Sequence, residues 1–246
     1  MSKIEKDYQE LLRLLYDSKM SVIYEKDNSL SNMIDYYSLW AHQIKTPIAA
    51  MRLILQSEES QANEELLEQL FRVEQYVEMV LQYLRMESES SDLLIKRYSL
   101  DSIVKQAVKK YAKSFIRKKI KLNYEDLSYS VITDEKWLVF VIEQILSNSL
   151  KYTSSGSISI YMDKELPDTL VIEDTGIGIQ EEDIPRVFEK GFTGYNGRAD
   201  KKSTGIGLYL CKRIIKKLSH TIAIESTIGK GTKVKIGLDM MDIEIE

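Results

Sequence analysis

The 246-residue chain has 43% hydrophobic residues, 29% charged residues and a formal net charge of −4, a balance that suits one large globular domain or two ordinary ones. That charge gives no electrostatic footprint for nucleic acid, whose binding normally shows as a basic face. The single cysteine, Cys211, excludes an internal disulfide framework. No run approaches the roughly 18 apolar residues of a membrane span, and Met1-Ser2-Lys3 opens no secretory signal, so the chain is expected to be soluble or to follow spans placed ahead of Met1.

Glycine divides the chain. Of 11 glycines the first is Gly156, and ten lie from Gly176 onward, so the first 155 residues read as mainly helical and the rest as strands, turns and a glycine-rich loop. Residues 1–28 read as a leading helix: Ile4, Tyr8, Leu11, Leu15 and Val22 repeat weakly, and the polar Lys26-Asp27-Asn28-Ser29 breaks the phase. Two heptad seams follow, Leu30, Ile34, Tyr37, Ala41, Ile44, Ile48, Met51, Leu55 and then Leu66, Leu70, Val73, Val77, Val80, Leu84. Their alternating steps of 3 and 4 put one apolar stripe on each helix. The polar Ser57 to Asn63 between them suits a short connection, which predicts an antiparallel hairpin over 29–90. One hairpin cannot bury both seams well, so two copies are expected to pair into a four-helix bundle as a homodimer.

His42-Gln43-Ile44-Lys45-Thr46-Pro47 lies on the first of these helices. With Ala41 and Ile44 on the seam, His42 flanks the core and should reach solvent. A lone helical histidine is ordinarily a plain surface residue, but Pro47 argues for more. A proline inside a helix costs about 3 kcal/mol, and the bond it removes would go to the carbonyl of Gln43, next to His42.

Glu87 to Asp92 is rich in Glu and Ser and looks like a linker, with the second unit set at 96–246 and 91–95 joining the two. In that unit Leu100 to Ile120 and Asp134 to Tyr152 read as helices. Ser157 to Met162 and Thr169 to Glu173 read as strands, Gly205 to Leu218 as a third helix, and Thr221 to Ser226 with Thr232 to Leu238 as a hairpin. Helices with an antiparallel sheet predict an α/β sandwich.

Four short motifs punctuate this unit. In Gln144-Ile145-Leu146-Ser147-Asn148-Ser149-Leu150-Lys151-Tyr152, residues 144, 148, 151 and 152 share one helix face, while Leu138, Ile142, Ile145 and Ser149 lie on the opposite, core face. An Asn oxygen suits Mg²⁺ and a Lys can reach a phosphate; taken alone, a solvated polar face is the simpler reading. Asp174-Thr175-Gly176-Ile177-Gly178 follows the apolar Leu170-Val171-Ile172 and puts a carboxylate at a strand end, where it can accept from an exocyclic amine; a tight turn is the simpler reading. Ser203-Thr204-Gly205-Ile206-Gly207-Leu208 precedes a helix whose N–H groups can bind phosphate, and is neither a dinucleotide-binding fingerprint nor a P-loop. Gly229-Lys230-Gly231-Thr232 is, by itself, a hairpin turn.

Together the four are far more specific. Over about residues 96–240 the chain resembles the ATP-binding domain shared by histidine kinases, gyrase, Hsp90 and MutL. The resemblance implies ATP and Mg²⁺ as cofactors, with Asn148 as the metal ligand, Lys151 on phosphate and Tyr152 near the base. It implies that Asp174 reads the adenine amine with Thr232 beside it, and that Gly176, Gly178, Gly205 and Gly207 shape the pocket. Ile179 to Thr204 looks like the family's mobile lid, and Phe188 within Arg186 to Phe192 resembles the kinase phenylalanine motif. Ser203 and Gln144 depart from the usual glycine and asparagine.

Asp35 to Met51 resembles the phosphoacceptor segment of histidine kinases, and more narrowly that of bacterial kinases for envelope or antimicrobial-peptide stress. The resemblance implies autophosphorylation of His42 and transfer to an aspartate of a response regulator. It also implies a fragment of a protein anchored in the bacterial membrane, working at the cytoplasmic face, with a membrane transporter as a further partner of the full-length protein. Free imidazole is available for attack near neutral pH, with a pKa of about 6.5. Gln43 replaces the acid many relatives carry there; it cannot be a base but can orient the ring. Thr46 matches a position that helps dephosphorylate the partner, a role that Gln43 puts in doubt. His220, Cys211 and the lysine-rich run from Lys109 to Lys121 are expected to be structural or solvated. The expected fold class is thus α+β, a helical hairpin forming a dimeric bundle followed by an α/β sandwich. The rival functions are an ATPase or serine kinase on the same fold, and a catalytically dead dimeric scaffold.

Overall fold

A computed structural model describes residues 3–58, 60–87, 93–194 and 204–239. The chain divides into two compact units, Met1–Ser91 and Asp92–Glu246.

The first unit is a helical hairpin of α1(Lys3–Gln56) and α2(Gln61–Glu87). At Lys26-Asp27-Asn28-Ser29, where the apolar repeat changes phase, α1 runs on unbroken. Those residues change which side is apolar, but none of them is Gly or Pro, so nothing interrupts the backbone ladder. The connection is shorter than expected, because Gln61, Ala62 and Asn63 already belong to α2, whose start is capped by the Ser60 hydroxyl accepting from Asn63 N–H at 3.1 Å. Within one chain each seam is only half covered. Ala41 and Ile48 of α1 and Leu70, Val77 and Leu84 of α2 are buried, while Met51, Leu66, Val73 and Val80 stay exposed.

The second unit opens with β1(Lys96–Ser99) and α3(Leu100–Lys118), then β2(Lys121–Tyr124), β3(Ser130–Thr133) and α4(Glu135–Tyr152). It continues through β4(Ser157–Met162), β5(Thr169–Asp174), a 3-10 turn at Ile184–Arg186, α5(Gly207–Lys217), β6(Thr221–Thr227) and β7(Gly231–Gly237). Three strands of four residues, β1, β2 and β3, flank the expected helices, in the glycine-free part of the chain that reads as mainly helical. β1 and β3 form a separate antiparallel pair, and the main sheet has the order β2-β4-β5-β7-β6. It is not wholly antiparallel, because β2 runs parallel to β4 along one edge.

The core forms where α4 lies between α3 and α5 and packs on β5. Leu100, Ile103, Leu138, Ile142, Ile145 and Leu146 of the helices meet Ile158, Ile160, Leu170 and Ile172 of the sheet, all nearly or fully buried. Asp134 caps α4 by accepting from Lys136 and Trp137 N–H, and its other oxygen accepts from Leu94 N–H, which fixes the chain entering the unit. Cys211 and His220 are buried, as expected of structural residues, with His220 Nε2 3.2 Å from the Thr133 hydroxyl. The basic run on α3 is not merely solvated: Lys110 pairs with Glu143 of α4 at 2.5 Å and Lys118 donates to the carbonyl of Leu150.

Candidate functional site

Asp174 is the last residue of β5 and is only 6% exposed. Its Oδ1 accepts from Gly176 N–H at 2.9 Å and from Thr232 N–H at 3.3 Å. Burial pushes its carboxyl above the usual carboxylate range; hydrogen bonds from Gly176, the Ser149 hydroxyl and Thr232 pull the other way. A buried carboxylate fixed by donors from α4, the β5 turn and β7 is a preorganised acceptor. Ser149 is the residue that sequence reasoning missed. It sits on the core face of α4 as expected, but its hydroxyl serves the carboxylate. A lone hydroxyl in the stripe Leu138, Ile142, Ile145 was the available signal.

The loop after Asp174 is pressed against its surroundings. A Cβ on Gly176 would lie 2.6 Å from the Tyr152 carbonyl oxygen, 2.8 Å from Asp174 Oδ1 and 2.9 Å from Thr153 Oγ1. Gly178 has a φ of +74°, and its Cβ would meet the Thr227 carbonyl at 2.2 Å, so this position requires glycine on two counts. The loop is stitched to the β6–β7 hairpin by Gly229 N–H donating to Ile177 O and Ile179 N–H donating to Ser226 Oγ, both at 2.9 Å. The fourth motif is therefore both a hairpin turn and a wall of the site, with Thr232 reaching Asp174 through its backbone. Gly205 stands against the backbone of Gly191, which donates to the Gly205 carbonyl at 3.0 Å. Gly207 faces Gln144, whose Oε1 is 3.0 Å from where its Cβ would be.

Along α4, Gln144 is buried against this glycine segment, Asn148 and Tyr152 are half-buried and Lys151 is exposed. The stripe is thus graded from packed to open rather than a uniformly solvated face. Lys151 Nζ lies 5.1 Å from the centre of the Tyr152 ring, and the Tyr152 carbonyl accepts from Ile177 N–H at 3.2 Å. Phe188 is half-buried, with Lys212 Nζ 5.3 Å from its ring centre. Of the expected lid, Gly197 and Ser203 lie outside the described residues. The donor set fits a base-reading nucleotide site: a fixed acceptor, a half-buried aromatic beside it, glycines where backbones touch and a cation at the rim. Asn148 offers one hard oxygen, and no group of three or more His, Cys, Asp or Glu among the described residues could hold a metal alone. An Mg²⁺ held by Asn148 would take its other ligands from phosphates and water.

In the first unit His42, Gln43, Thr46 and Pro47 are all exposed, while Ala41 and Ile48 are buried. Thr46 lies one turn beyond His42, and its hydroxyl makes a long hydrogen bond, 3.5 Å, to the His42 carbonyl. Pro47 is accommodated inside α1.

Residues 133–242 match the family model described as histidine kinase-, DNA gyrase B- and HSP90-like ATPase. Over 240 residues the chain is 33% identical to the sensor histidine kinase YxdK of Bacillus subtilis, covering 95% of this chain and 72% of that protein. It is 35% identical over 210 residues to the sensor protein BceS of Halalkalibacterium halodurans, covering 85% and 60% of the two. It is 35% identical over 225 residues to the sensor histidine kinase GraS of Staphylococcus haemolyticus, covering 90% and 65%. The chain therefore spans 60 to 72% of the length of these relatives. Among solved structures, full-length ShkA in complex with AMPPNP aligns with a TM-score of 0.57 at 16% identity, over 82% of this chain and 45% of that one. The Acinetobacter baumannii histidine kinase AdeS aligns at 0.54 and 21% identity, over 82% and 98%. At those identities the two structures bear on the fold.

Proposed function

Because the chain belongs to the sensor histidine kinases of bacterial two-component systems, we propose that it uses ATP to phosphorylate its own His42 and passes the phosphoryl group to an aspartate of a response regulator. The observation that carries this reading is the Asp174 carboxylate, buried and held by donors from three separate segments, together with an exposed histidine in a different compact unit.

Asp174 accepts from the exocyclic amine of adenine, Tyr152 flanks the base and Lys151 reaches a phosphate. Asn148 would hold Mg²⁺, which when bound would neutralise charge on the phosphate oxygens. A neutral imidazole nitrogen of His42 attacks the γ-phosphorus as the bond to the leaving ADP oxygen breaks. Such transfer passes through a loose transition state and depends on positioning and charge more than on a strong base. The imidazole proton goes to water, since Gln43 cannot take it; Gln43 orients the ring. The phosphorylated imidazole then donates to the receiver aspartate. Thr46, held on the His42 carbonyl, lines the same face.

The half-covered seams support a homodimer in which a second copy covers Met51, Leu66, Val73 and Val80. No helix among the described residues is long and apolar enough to cross a membrane. The likeness of Asp35 to Met51 to envelope-stress kinases supports a membrane-anchored whole protein, this chain at the cytoplasmic face, with a transporter as a further partner.

The test is incubation with γ-labelled ATP and Mg²⁺, followed by mapping of the label. Acid-labile, base-stable phosphate on His42 is expected, and Asn148→Ala should lose it while remaining a dimer. Label on a serine or threonine, or ATP consumed with no protein label, would overturn the assignment.

A further inference from the structure

The chain is acidic as a whole, with a net charge of −4, yet from Leu100 to Lys121 it carries eight cations and one acid. Two of those cations serve the fold: Lys110 pairs with Glu143, and Lys118 donates to the Leu150 carbonyl. The acid, Asp101, is already engaged by Lys105 at 2.7 Å and by the Tyr124 hydroxyl at 2.8 Å. The remaining cations are exposed. Lys105, Lys109 and Lys113 recur one turn apart along α3, and Arg117 extends the row. Lys109 and Lys113 have no acidic partner among the described residues.

An ordinary solvated face mixes its signs, because an acid one turn from a lysine stabilises a helix and a like charge there destabilises it. This row does the reverse, so the isolated chain bears a repulsion that a negative surface would relieve. An aliphatic side chain stands within the row. Ile116 is 76% exposed, three residues beyond Lys113, on the side of α3 opposite the buried Leu100, Val104 and Tyr111. Lysines around an exposed aliphatic group on a convex helix favour a fluid anionic bilayer over a protein. Protein interfaces are depleted in lysine and are anchored by aromatic residues and arginine. A bilayer asks no fixed geometry of flexible ammonium groups and takes an apolar side chain below its headgroups.

We propose that the outward face of α3 is a docking surface for an anionic lipid bilayer. Lys105, Lys109, Lys113 and Arg117 meet the headgroups, and Ile116 enters the boundary between headgroups and acyl chains. The contact brings the second unit itself onto the membrane, whatever anchors the whole protein. It requires neither nucleotide nor His42, so it stands apart from the phosphoryl-transfer reading.

The test is co-sedimentation of the whole chain with vesicles of phosphatidylcholine, alone or with about a quarter phosphatidylglycerol. Binding should require phosphatidylglycerol and weaken as salt rises. The double variant Lys109→Gln, Lys113→Gln should bind about 30-fold more weakly, at about 1 kcal/mol for each lysine near the surface. It should melt no lower than the unmodified chain, since it removes like-charge repulsion. Lys109→Arg with Lys113→Arg should retain binding, and Lys6→Gln with Lys19→Gln, on α1, should not change it. Ile116→Trp should show a blue shift of tryptophan emission on these vesicles, beyond any shift of the unmodified chain, because the indole leaves water. Equal binding to phosphatidylcholine alone would overturn the proposal. So would an equal loss in the α1 variant, or a lower melt of the lysine double variant. Absence of the added blue shift, or tighter binding of the same face to duplex DNA than to the vesicles, would show a general polyanion site and overturn it as well.

Discussion

Replacing Asp174 with asparagine separates base recognition from folding. Oδ1 holds two backbone N–H groups, from Gly176 and Thr232, and an amide oxygen in that place keeps both. The amide nitrogen then occupies the other position and turns a donor toward the adenine amine. The binding site loses a hydrogen bond to a charged acceptor, worth about 1.5–3 kcal/mol. At about 1.4 kcal/mol per tenfold, the Kd for ATP should rise by about 10- to 150-fold. Folding should not suffer, because burial already disfavours the charge that the substitution removes. Calorimetric titration with AMPPNP and Mg²⁺ gives the first number and a thermal melt of the empty protein the second. A Kd within about twofold of the unmodified protein would refute the role given to the carboxylate. A collapsed melt would show that Asp174 is first a structural residue.

Other perturbations probe separate parts. His42→Gln should abolish protein labelling and leave the nucleotide Kd unchanged, because acceptor and nucleotide groups belong to different units; Gln43→Glu should label at least as fast as the unmodified chain, having regained a proton acceptor, and initial rates near pH 8 compare them. In Gly205→Ala the new Cβ would lie 2.4 Å from the Gly191 carbonyl carbon at a φ of +65°, so a lower melting temperature and weaker ATP binding are expected together, and no change in either would show that the backbone yields there. The raised pKa of Asp174 means that nucleotide affinity, which needs the carboxylate, should begin to fall at a higher pH than an ordinary carboxyl would dictate. In the empty protein the same group favours folding at low pH and loses that contribution as pH rises through its raised value. Subtracting the Asp174→Asn affinity profile isolates the effect, and identical profiles would exclude it.

The long elements were legible because they carry enough residues to show a period. β5 follows from the run Leu170-Val171-Ile172, and the seams of α1 and α2 from their sevenfold spacing. The strands β1, β2 and β3 were not. Each has four residues, and each is a strand only because of a distant partner: Lys121 pairs with Ser157 and Lys96 with Thr133. The same limit governs the site. Asp174, Asn148 and the glycines stand in recognisable strings, whereas Ser149 looks like core until α4 is seen ending beside β5. Lys118 is a further case, since its bond to the Leu150 carbonyl exists only once α3 lies on α4.

The unbroken α1 helix also has a mechanical meaning. Its 54 residues extend roughly 80 Å at 1.5 Å per residue, with no glycine and with Pro47 as the sole proline. From Lys3 to His42 nothing in this shaft gives way to torsion, and the softened joint at Pro47 lies beyond the imidazole. A twist of this rod would be carried toward His42 through an unbroken hydrogen-bond ladder, and since successive residues are about 100° apart, a modest turn would swing the ring from one side of the hairpin to another. A bend applied at the same end would dissipate in curvature along the rod. The geometry is that of a driveshaft, a continuous rod with its one proline set beyond the histidine.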